Sequence, residues 1–541
     1  MRRPLGRTRR REDADPIWVV TVDYAGARFR WASRLPGWDV LDVDGLPVAF
    51  VGSWTPPQAI DMAADTTIPV EVIFPDNTRI ARAELGGVVT LSGCPVEVAW
   101  LPANGTWASR NIVSSGYVDG PEIGVDLEPV SFGIIARSQL PDTAVIPGPT
   151  HAVTSLSWPT YMVAGNPDSG AVESAQGRSY PVVYGAPGPF RFGGGTIYGH
   201  GSKTLIVDSE TVSIGTPSTP TRLAKRILVN SSPISTMDVY LRWQEGSNSH
   251  WFRAAYPVVV SEDGIDQRCA TIDLSGESDT MRSASEYWVC WKDGAADGRT
   301  GADEIALWFL EQSTGVDMLR SRSGIAALRG LKLGGYINDP TSPRDWIADR
   351  LAEFPVELVD GSAGMYLSAV PWQADASIAV AHIAAVEAPN GLALSGAIRI
   401  SPLRVEAAKA STVRIAWAPS NEGTGRMVTM LTSDGVIDTS TTVVAASAPP
   451  SNDGVKVAGF ELPDVWDEAT AAYIARYVWW RECRPRREVR ISVPTDAWAW
   501  LTVGDVITYS DDGLGVSNMV AYVASIALTV DSMMEIVLRF P

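Results

Sequence analysis

The clearest change of hydrophobic period lies between Asp464 and Tyr509. Apolar residues first recur at i, i+3, i+6 and i+7, a spacing that predicts one buried face of an amphipathic helix. The residues of this face are Ala471, Ile474, Tyr477 and Val478. Asp464 is predicted as the N-cap, because Asp467 then stands at the capping-box position three residues later. Pro485 is predicted to end the helix.

Beyond this helix the period switches to two. Apolar residues alternate with polar ones, and this pattern predicts a half-buried strand. The apolar residues of the strand are Val489, Ile491 and Val493. A turn at Gly504-Asp505 leads into a second predicted strand, Val506 to Tyr509. The same alternation predicts a last strand through Ile536, Leu538 and Phe540.

Short strands also dominate the first part of the chain. The segments IWVVTV, ARFRWA and GWDVLDVDGLPVAFVGSW follow one another from Ile17, with glycine and proline marking the turns. IPVEVIF and TRIARAEL are predicted to pair as a hairpin around Pro75-Asp76-Asn77. PVEVAWLP is predicted to pair, across a turn at Asn104-Gly105, with a strand that ends near Val113. This spacing predicts a β-barrel or sandwich over residues 17–150.

Helix signals concentrate between residues 301 and 375. Ala302 to Glu311 places Ile305, Trp308 and Phe309 on one side of a predicted helix. A second helix is predicted to start with an N-cap serine, a proline at N1 and an aspartate at N3. These residues are Ser342, Pro343 and Asp345, and the apolar residues that follow them are Ile347, Leu351 and Phe354. The segments VELVDG and MYLSAV are predicted to form a hairpin, so residues 301–375 form a small α+β domain.

The remaining segments complete a chain predicted to be mainly β and multidomain. Pro147 to Pro149 marks a boundary, and strands joined by glycine-rich loops then predict an inserted all-β domain over residues 151–300. Residues 376–541 are predicted as a second β-barrel domain that includes the C-terminal helix. LALSGAIRISP, STVRIAWAP and MVTMLTSDG supply its further strand pairs.

Length and composition agree with this organisation. A chain of 541 residues should divide into about three or four domains, because single hydrophobic cores stop growing near ~250–300 residues. The hydrophobic content of 45% and charged content of 20% are typical of a globular protein. The 48 glycines and 37 prolines, with many Val, Thr and Trp residues, favour strands joined by turns.

The formal net charge of −18 argues against a general nucleic-acid-binding protein, because phosphate recognition requires a basic surface. An acidic surface suits a channel that DNA passes through without sticking. It also simply increases solubility, and the sequence leaves both interpretations open.

The first 16 residues form a basic arm with six arginines. These are Arg2, Arg3, Arg7, Arg9, Arg10 and Arg11. Such an arm is either solvated or ordered by an acidic neighbour or by DNA. No apolar segment of signal-peptide length follows it, and no run of 18 apolar residues occurs. The sequence therefore predicts no secretory signal and no membrane anchor.

No motif predicts a catalytic, metal or cofactor site. The stretch from Gly193 to Lys203 lacks the lysine directly after the last glycine of a phosphate-binding loop, and lacks the third glycine of a dinucleotide fingerprint. A calcium loop around Asp42 would have to start at Val40, which has no side-chain oxygen. The histidines and cysteines show neither H-E-x-x-H nor C-x-x-C spacing, so no zinc site or disulfide framework is predicted. They are His151, His200, His250, His382, Cys94, Cys269, Cys290 and Cys483, and the thiols are predicted to be buried and reduced.

Two clusters of side chains remain as candidate binding surfaces. The tryptophans Trp479, Trp480, Trp498 and Trp500 suit either a sugar-stacking surface or, as we expect, cores and subunit interfaces. The main internal basic patch is predicted to contact acidic faces of a neighbouring subunit, with a solvated face as the alternative. Its residues are Arg476, Arg481, Arg484, Arg486, Arg487 and Arg490.

The order of helix, basic corner, strand, Gly-Asp turn and strand resembles the closing segment of baseplate hub and tail-tip proteins of long-tailed bacteriophages. Ala471 to Ala475 matches the A-x-x-I-A helix of that segment, and Gly504-Asp505 matches its turn. YPVVYGAPG, from Tyr180 to Gly188, resembles a segment inside hub proteins of some siphophages. Residues 301–375 resemble the domain between the two barrels of tail hubs. Together these segments cover about half of the chain.

The resemblance implies a structural role without an enzyme activity or a cofactor. In such hubs, three copies form a ring in which two β-barrel modules per copy make six similar positions. The ring joins a six-fold tail tube to a three-fold tip and encloses the channel through which DNA leaves. The resemblance also implies several partners: distal tail and tail tube proteins, the tape measure protein, and tail fibre or receptor-binding tip proteins. The implied location is the virion tail tip, after assembly in the host cytoplasm.

Two other functions stay open on the sequence alone. A β-rich carbohydrate-binding or carbohydrate-active protein would use exposed tryptophans and two carboxyl groups ~5–10 Å apart in a cleft. A receptor-binding tail-tip component would use an exposed, loop-rich face in residues 151–300.

Overall fold

The structure, a computed structural model, describes many separate segments of the chain. These are residues 17–36, 39–42, 44–56, 59–61, 68–75, 77–86, 90–101, 105–124, 128–136, 145–147, 178–185, 189–192, 196–199, 202–214, 219–230, 239–245, 248–253, 259–260, 270–283, 287–291, 299–359, 361, 364–374, 376–385, 397–410, 412–417, 427–431, 437–438, 457–498, 500–529 and 533–541. The fold is mainly β, as predicted. The basic arm, residues 1–16, and the Asn104 position of the predicted turn lie outside the described residues.

The first curled sheet is built from the N-terminal part of the chain. Its elements are β1 (Ile17–Tyr24), β2 (Ala27–Ala32), β3 (Gly52–Ser53), β4 (Ala59–Asp61), β5 (Ile68–Val72), α1 (Asn77–Gly86), β6 (Pro95–Leu101), β7 (Asn111–Ile123) and β8 (Val130–Ala136). Seven of these strands form one sheet in the order β3-β2-β1-β6-β7-β8-β5. The remaining strand, β4, pairs elsewhere.

Side chains hold the two ends of this sheet together. The indole Nε1 of Trp31 on β2 donates a hydrogen bond to the carbonyl of Ile73, just after β5, at 2.9 Å. Phe74 packs edge-on against Trp31 with ring centroids 4.7 Å apart, and Phe29 packs against Phe74 at 5.3 Å. These rings are fully or largely buried, so burial of aromatic surface closes the sheet into a barrel-like shape.

Two details of the N-terminal prediction are wrong. TRIARAEL forms α1 and not the second strand of a hairpin, because its Ala, Arg, Glu and Leu residues favour a helix and Ile80 is buried against the sheet. Among its described residues, the segment GWDVLDVDGLPVAFVGSW has β3 as its only strand, and the hydrogen-bonded turn of Asp42 and Gly45 is flanked by an isolated bridge between Leu41 and Pro47. The hairpin of β6 with β7 is confirmed, although β7 extends to Ile123.

The next part of the chain forms small antiparallel sheets. Its elements are β9 (Val182–Gly185), β10 (Pro189–Phe192), β11 (Thr196–Gly199), β12 (Ser202–Lys203), β13 (Leu205–Ile214), β14 (Thr219–Asn230), β15 (Val239–Glu245), β16 (Asn248–Arg253), β17 (Val259–Val260), β18 (Ala270–Asp273), α2 (Asp279–Arg282) and β19 (Tyr287–Trp291). Two of these sheets have four strands each, β12-β19-β15-β16 and β13-β14-β18-β17.

Helices and a hairpin follow, as predicted. The elements are α3 (Ala302–Gln312), α4 (Arg322–Ala327), β20 (Gly334–Ile337), α5 (Pro343–Arg350), β21 (Val356–Val359) and β22 (Tyr366–Ala369). The Oγ of Ser342 accepts a hydrogen bond from the N–H of Asp345 at 3.0 Å, which confirms the predicted N-cap. β20 pairs with β9, so the YPVVYG segment joins a strand beyond residue 300.

The last part of the chain contains the second curled sheet. Its elements are β23 (Ala381–Ala385), β24 (Ile398–Arg399), β25 (Arg404–Glu406), β26 (Thr412–Trp417), β27 (Met427–Leu431), β28 (Ile437–Asp438), β29 (Val457–Leu462), α6 (Glu468–Cys483), β30 (Arg486–Pro494), α7 (Thr495–Trp498), β31 (Val506–Asp511), β32 (Val516–Thr529) and β33 (Met533–Phe540). The sheet order is β23-β31-β32-β33-β30-β24.

This second sheet closes on itself. Ala385, at the end of β23, forms a parallel bridge with Ala397, just before β24. Next to the bridge, Arg399 lies 3.4 Å from the carboxylate of Asp511, which is 2% exposed. The hydroxyl of Tyr509 donates to the same carboxylate at 2.7 Å. The backbone bridge therefore connects β23 to the segment before β24, and the ionic contact connects β24 to β31.

The strands between β24 and α6 do not all belong to this barrel. β26 pairs with β27 and, in parallel, with β29, whereas β24 pairs with β30. The predicted segments LALSGAIRISP and STVRIAWAP thus pair with other strands and not with each other in the described residues. Buried residues of β26 share a hydrophobic core with α3, α5 and α6.

The N-cap of α6 is one helical turn later than predicted. Asp467 is the N-cap, and its carboxylate accepts the N–H of Thr470 at 2.9 Å. Asp464 is instead buried and committed to tertiary contacts with Tyr184 and Arg350. The apolar face of α6 is confirmed, because its four predicted residues are at most 4% exposed.

The two curled sheets repeat one arrangement of elements. In the first, a strand (β5), a helix (α1) and a three-stranded meander (β6, β7, β8) follow one another, and β5 returns to pair antiparallel with β8. In the second, β30, α7 and the meander β31, β32, β33 follow in the same order, and β30 pairs antiparallel with β33. The central strand is the longest in each meander, with 13 residues in β7 and 14 in β32.

The turn that begins each meander is the same. The N–H of Gly93 donates to the carbonyl of Val118 at 2.8 Å, and the N–H of Val118 donates to Cys94 at 2.9 Å. In the second sheet, the N–H of Gly504 donates to Val523 at 2.9 Å, and the N–H of Val523 donates to Asp505 at 2.9 Å. Each glycine is the third residue of a turn, which is closed at 3.1 Å by the N–H of Cys94 to Leu91 in the first sheet and by the N–H of Asp505 to Thr502 in the second. Their φ angles are positive, +79° and +90°, as this position requires. The predicted Gly-Asp turn is thus confirmed, with Gly93-Cys94 as its counterpart.

Both sheets contribute to one continuous hydrophobic core. They are also joined by backbone pairing, because β4 from the N-terminal part pairs with the end of β32. The two barrels are therefore held together as one packed unit. Among the described residues, none of the helices is both long and apolar enough to cross a membrane.

We predict that the two equivalent turn glycines differ in their tolerance of alanine. Gly93→Ala places a Cβ in open space, so only the positive φ costs stability, about 1 kcal/mol. Gly504→Ala places a Cβ 2.2 Å from the Oγ of Ser368, so repacking adds about 1 kcal/mol or more. Thermal unfolding of the two variants measures the difference. An equal loss of melting temperature would contradict the close contact at Gly504.

Candidate interface site

A cleft lies where the end of α6, the start of β30 and the end of β33 meet. Its volume is about 570 Å³. Five arginines line it, against a single acidic side chain, Glu357, among the described lining residues. The arginines are Arg481, Arg484, Arg486, Arg487 and Arg539. We call this surface the basic cleft.

Arg481 anchors the basic cleft to the neighbouring helical unit. Its guanidinium contacts the carboxylates of Glu353 and Glu482, the latter at 2.8 Å. Its Nη1 also donates to the carbonyl of Ala352 at 3.2 Å, and the group lies 5.6 Å from the ring centroid of Tyr477. Burial acts to lower the pKa of Arg481, but the charge of Glu353 raises it above its usual value. This arginine is therefore committed to internal contacts.

Arg484, Arg486 and Arg487 provide the cleft's remaining charge. Arg484 and Arg487 are exposed, and Arg486 is half-buried. Arg484 lies over the ring of Trp479, 5.3 Å from its centroid. Within the part of the chain that the structure describes, no carboxylate forms an ion pair with these three arginines. Their positive charges are consequently directed to the cleft and to solvent.

The fifth arginine of the cleft, Arg539, was missed by sequence reasoning. It stands on β33, where it alternates with the buried Leu538 and Phe540, and that alternation was the signal that placed its side chain on the outer face. Its Nε lies 3.5 Å from Glu488 on β30. Tyr522 lies beside it, and burial raises the pKa of that phenol, so a neutral hydroxyl also faces the cleft.

Two of the six predicted arginines do not line the basic cleft. Arg476 is exposed on α6, and Arg490 is exposed on β30. The N–H of Arg490 donates to the Oγ of Ser401 at 2.9 Å, so its backbone contributes to pairing outside the cleft. The structure thus brings four of the six together and separates these two.

A second cleft, of about 560 Å³, lies before the first turn of α6. Its charged lining residues are Asp339, Asp345, Asp349, Asp464 and Arg350. Trp346, Trp466 and Tyr336 line it as well. We call this surface the acidic cleft.

One carboxylate of the acidic cleft is locked in place. The hydroxyl of Tyr184 donates to the Oδ2 of Asp464 at 2.7 Å, and Arg350 lies 3.6 Å from the same oxygen. Burial raises the pKa of Asp464, whereas the charge of Arg350 acts to lower it. Burial and the neighbouring Asp464 also hold the pKa of Tyr184 well above its usual value. These contacts join β9, α5 and the segment before α6.

The predicted tryptophan pairs pack against the two hydrophobic cores. Trp498 and Trp500 stack with ring centroids 6.0 Å apart and pack against the core shared by the barrels. Trp479 and Trp480 pack against the core around α6. These rings are therefore half-buried at the edges of the cores and do not fill them, and Trp480 also lines the basic cleft.

The other stretches considered for chemistry have ordinary structural roles where they are described. Part of the Gly193 to Lys203 stretch forms β11 and β12, and another strand follows, whereas a phosphate-binding loop leads into a helix. His382 contacts the Oγ1 of Thr508 at 2.9 Å. Cys94 and Cys483 are free thiols, but they are half-buried and not buried as predicted. In the described segments, no three metal-ligating side chains lie close enough to hold an ion.

Comparison with known proteins gives only distant likenesses. No protein-family model matches the chain, and no curated protein matches it. A tail protein from Neisseria meningitidis MC58 aligns at 10% identity and a TM-score of 0.33, covering 96% of this chain and 96% of that one. The 43 kDa tail protein of prophage MuSo2 from Shewanella oneidensis aligns at 10% identity and a TM-score of 0.33, covering 96% and 98%.

A chain of the native gene transfer agent virion aligns at 12% identity and a TM-score of 0.18, covering 53% of this chain and 81% of that one. These structural neighbours are components of tails and virions. At such TM-scores the likeness carries no argument about function, which has to come from the chain itself.

We predict that Arg481 is needed for stability and Arg476 is not. Arg481→Ala leaves the half-buried Glu353 without its cation and leaves the buried Glu482 with only the more distant Lys409, which should cost at least about 2 kcal/mol. Arg476→Ala removes the same group from an exposed position on the same helix and should cost no more than about 0.5 kcal/mol. Thermal or urea unfolding compares the two, and similar losses would contradict the anchoring role.

Proposed function

We propose that this chain is a structural component of a phage tail baseplate or tip hub. Three copies form a ring in which each copy contributes two barrels, so that six similar modules face a six-fold tail tube. The other side of the ring keeps three-fold symmetry for the tip. The ring surrounds the channel through which DNA leaves during host entry.

The repeat of the strand–helix–meander arrangement is the observation that carries this proposal. Two modules can occupy equivalent positions only if they present similar backbones. The returning strands, β5 and β30, and the matching turns at Gly93 and Gly504 provide that similarity. Because the two barrels share one core, each copy contributes them as a fixed pair.

In this proposal the work is done by interfaces, and no residue turns over a substrate. Opening of the channel is a change of packing between copies and not a chemical step. The net charge of −18 suits DNA that passes without specific binding. No cofactor or metal is required.

The proposed partners follow from the position in the particle. They are a distal tail or tail tube protein on the six-fold side, the tape measure protein in the channel, and tail fibre or receptor-binding proteins on the three-fold side. The part of the predicted basic patch that lines the basic cleft is one proposed contact surface. The protein would be assembled in the host cytoplasm and located at the virion tail tip.

One observation favours a second candidate function, a carbohydrate-active protein. The acidic cleft combines several carboxylates with Trp346 and Trp466, the residue types that a glycoside-cleaving site uses. Against this, Asp464 is locked by Tyr184 and Arg350, and the Nε1 of Trp466 donates to the carbonyl of Gly334 at 2.8 Å. These contacts fit a structural network better than a reacting pair.

We predict a trimer in solution. Light scattering coupled to size exclusion should give a mass three times the 58.0 kDa of one copy, with the trimer favoured as concentration rises. A mass of one copy throughout an accessible concentration range would contradict the proposed ring.

The carbohydrate function has its own test. Incubation with bacterial cell-wall polysaccharide should release no reducing ends, and Asp349→Asn should change nothing. Turnover by the native chain that is lost in Asp349→Asn would replace the hub proposal with the enzyme.

A further inference from the structure

Arg484, Arg486 and Arg487 form no ion pair within the described residues. Their charges are therefore balanced by ions from solvent or by a carboxylate of another chain. Arg484, Arg486 and Arg487 follow one another around the end of α6 and face one cleft. Clustered guanidinium groups repel one another, so a carboxylate-bearing partner is favoured at this surface. The cleft's volume is sufficient for several side chains of such a partner.

An exposed ridge on α5 carries the complementary charge. Asp345 and Asp349 stand four residues apart on one exposed face of this helix, and Asp339 is exposed just before it. The side chain of Asp349 is 76% exposed, and its carboxylate lies 3.3 Å from the Nε of Arg350, which also contacts the buried Asp464. The cap serine, Ser342, fixes the start of the helix and therefore the direction of the ridge. We call these three aspartates the acidic ridge.

One copy carries both surfaces. The acidic ridge borders the acidic cleft, which lies before the first turn of α6, and the basic cleft lies after its last turn. The two surfaces also approach each other along the chain, because Ala352, which lines the basic cleft, follows three residues after Asp349. Two complementary surfaces at different places on one subunit allow a head-to-tail contact, and such contacts close into rings when the rotation permits.

We infer that the basic cleft of one copy receives the acidic ridge of a second copy. This inference rests on the proposed ring and names its contact: Arg484, Arg486 and Arg487 on one side, Asp339 and Asp349 on the other. Each carboxylate completes the hydrogen bonding of a guanidinium group, since arginine and carboxylate match in geometry. A second copy is a suitable occupant because the chain as a whole is strongly acidic.

Charge reversal on either side tests the contact. Arg484→Glu/Arg487→Glu and, separately, Asp339→Lys/Asp349→Lys should each weaken association at least about 100-fold, because like charges then face each other. Combining all four substitutions in one chain restores opposite charges and should restore most of the association. Circular dichroism and melting temperature confirm that each variant is folded.

The matched control is Arg476→Glu/Arg490→Glu. It changes the net charge by the same amount at exposed arginines outside the basic cleft, and it should associate like the native protein. Sedimentation velocity at low and high salt measures all five proteins, and high salt should weaken the native assembly.

Several results would overturn the inference. One is normal association of Arg484→Glu/Arg487→Glu, and another is an equal loss in the control. Failure of the four-fold variant to regain association, although folded, is a third. A fourth result combines two observations: the reversals do not weaken the trimer, and the native trimer binds a DNA oligonucleotide that Arg484→Glu/Arg487→Glu no longer binds. This result would assign the cleft to phosphate instead.

These results distinguish the inference from the proposed function. If the native protein is a trimer and the charge reversals do not weaken it, the proposed ring stands and only this contact is wrong. A native protein that stays monomeric removes the ring, and the contact with it.

Discussion

The fold depends on the pairing of each three-stranded meander with the strand that precedes it in the chain. A three-stranded antiparallel meander has two open edges, and exposed edges are prone to uncontrolled pairing. In both barrels the last strand of the meander, β8 or β33, pairs with the strand that precedes the helix, β5 or β30, and its open edge is thereby covered. Each of these strands buries three alternate side chains, so the same pairing that covers the edge also builds the core.

The closure of the two barrels differs in its chemistry. In the second barrel, a backbone bridge and the Arg399–Asp511 contact complete the circle. In the first, the Trp31 indole and the aromatic rings around Phe74 take that role. Two modules with similar strands but different closing contacts can occupy equivalent places in a ring and still contact different neighbours. That combination is what a joint between six-fold and three-fold symmetry requires.

Helix α6 connects the second barrel to the rest of the molecule. Its apolar face packs with α3 and α5, and its end leads directly into β30. The buried Tyr184–Asp464–Arg350 contacts hold its start, and Arg481 holds its end. Both charged clefts therefore lie on a rigid support, so their charges are held at fixed positions.

The sequence predicted the elements whose signals are local. Alternation at Val489, Ile491 and Val493, and the Ser342 cap of α5, appear in the structure as expected. The residues that sequence reasoning misplaced are governed by distant contacts. Asp464 looks like an N-cap, but burial against Tyr184 and Arg350 decides its role. TRIARAEL follows a turn-like Pro-Asp-Asn, but its helix formers prevail.

The candidate site was only partly visible in the sequence. Four arginines of one basic segment meet in the basic cleft because α6 ends and β30 begins there. Arg539 joins them from the last strand, which pairing with β30 brings alongside. Gly93-Cys94 and Gly504-Asp505 share no identity beyond glycine, so the repeat is evident from hydrogen bonds and not from residue types.

The most direct test of the central claim is a cryo-EM reconstruction of the assembled protein without imposed symmetry. The account predicts a ring of three copies in which six barrels lie at equal radius and are spaced by close to 60°. First and second barrels alternate around this ring. Barrels at two clearly different radii, or a particle of one copy, would contradict the idea that the repeated modules occupy six equivalent positions.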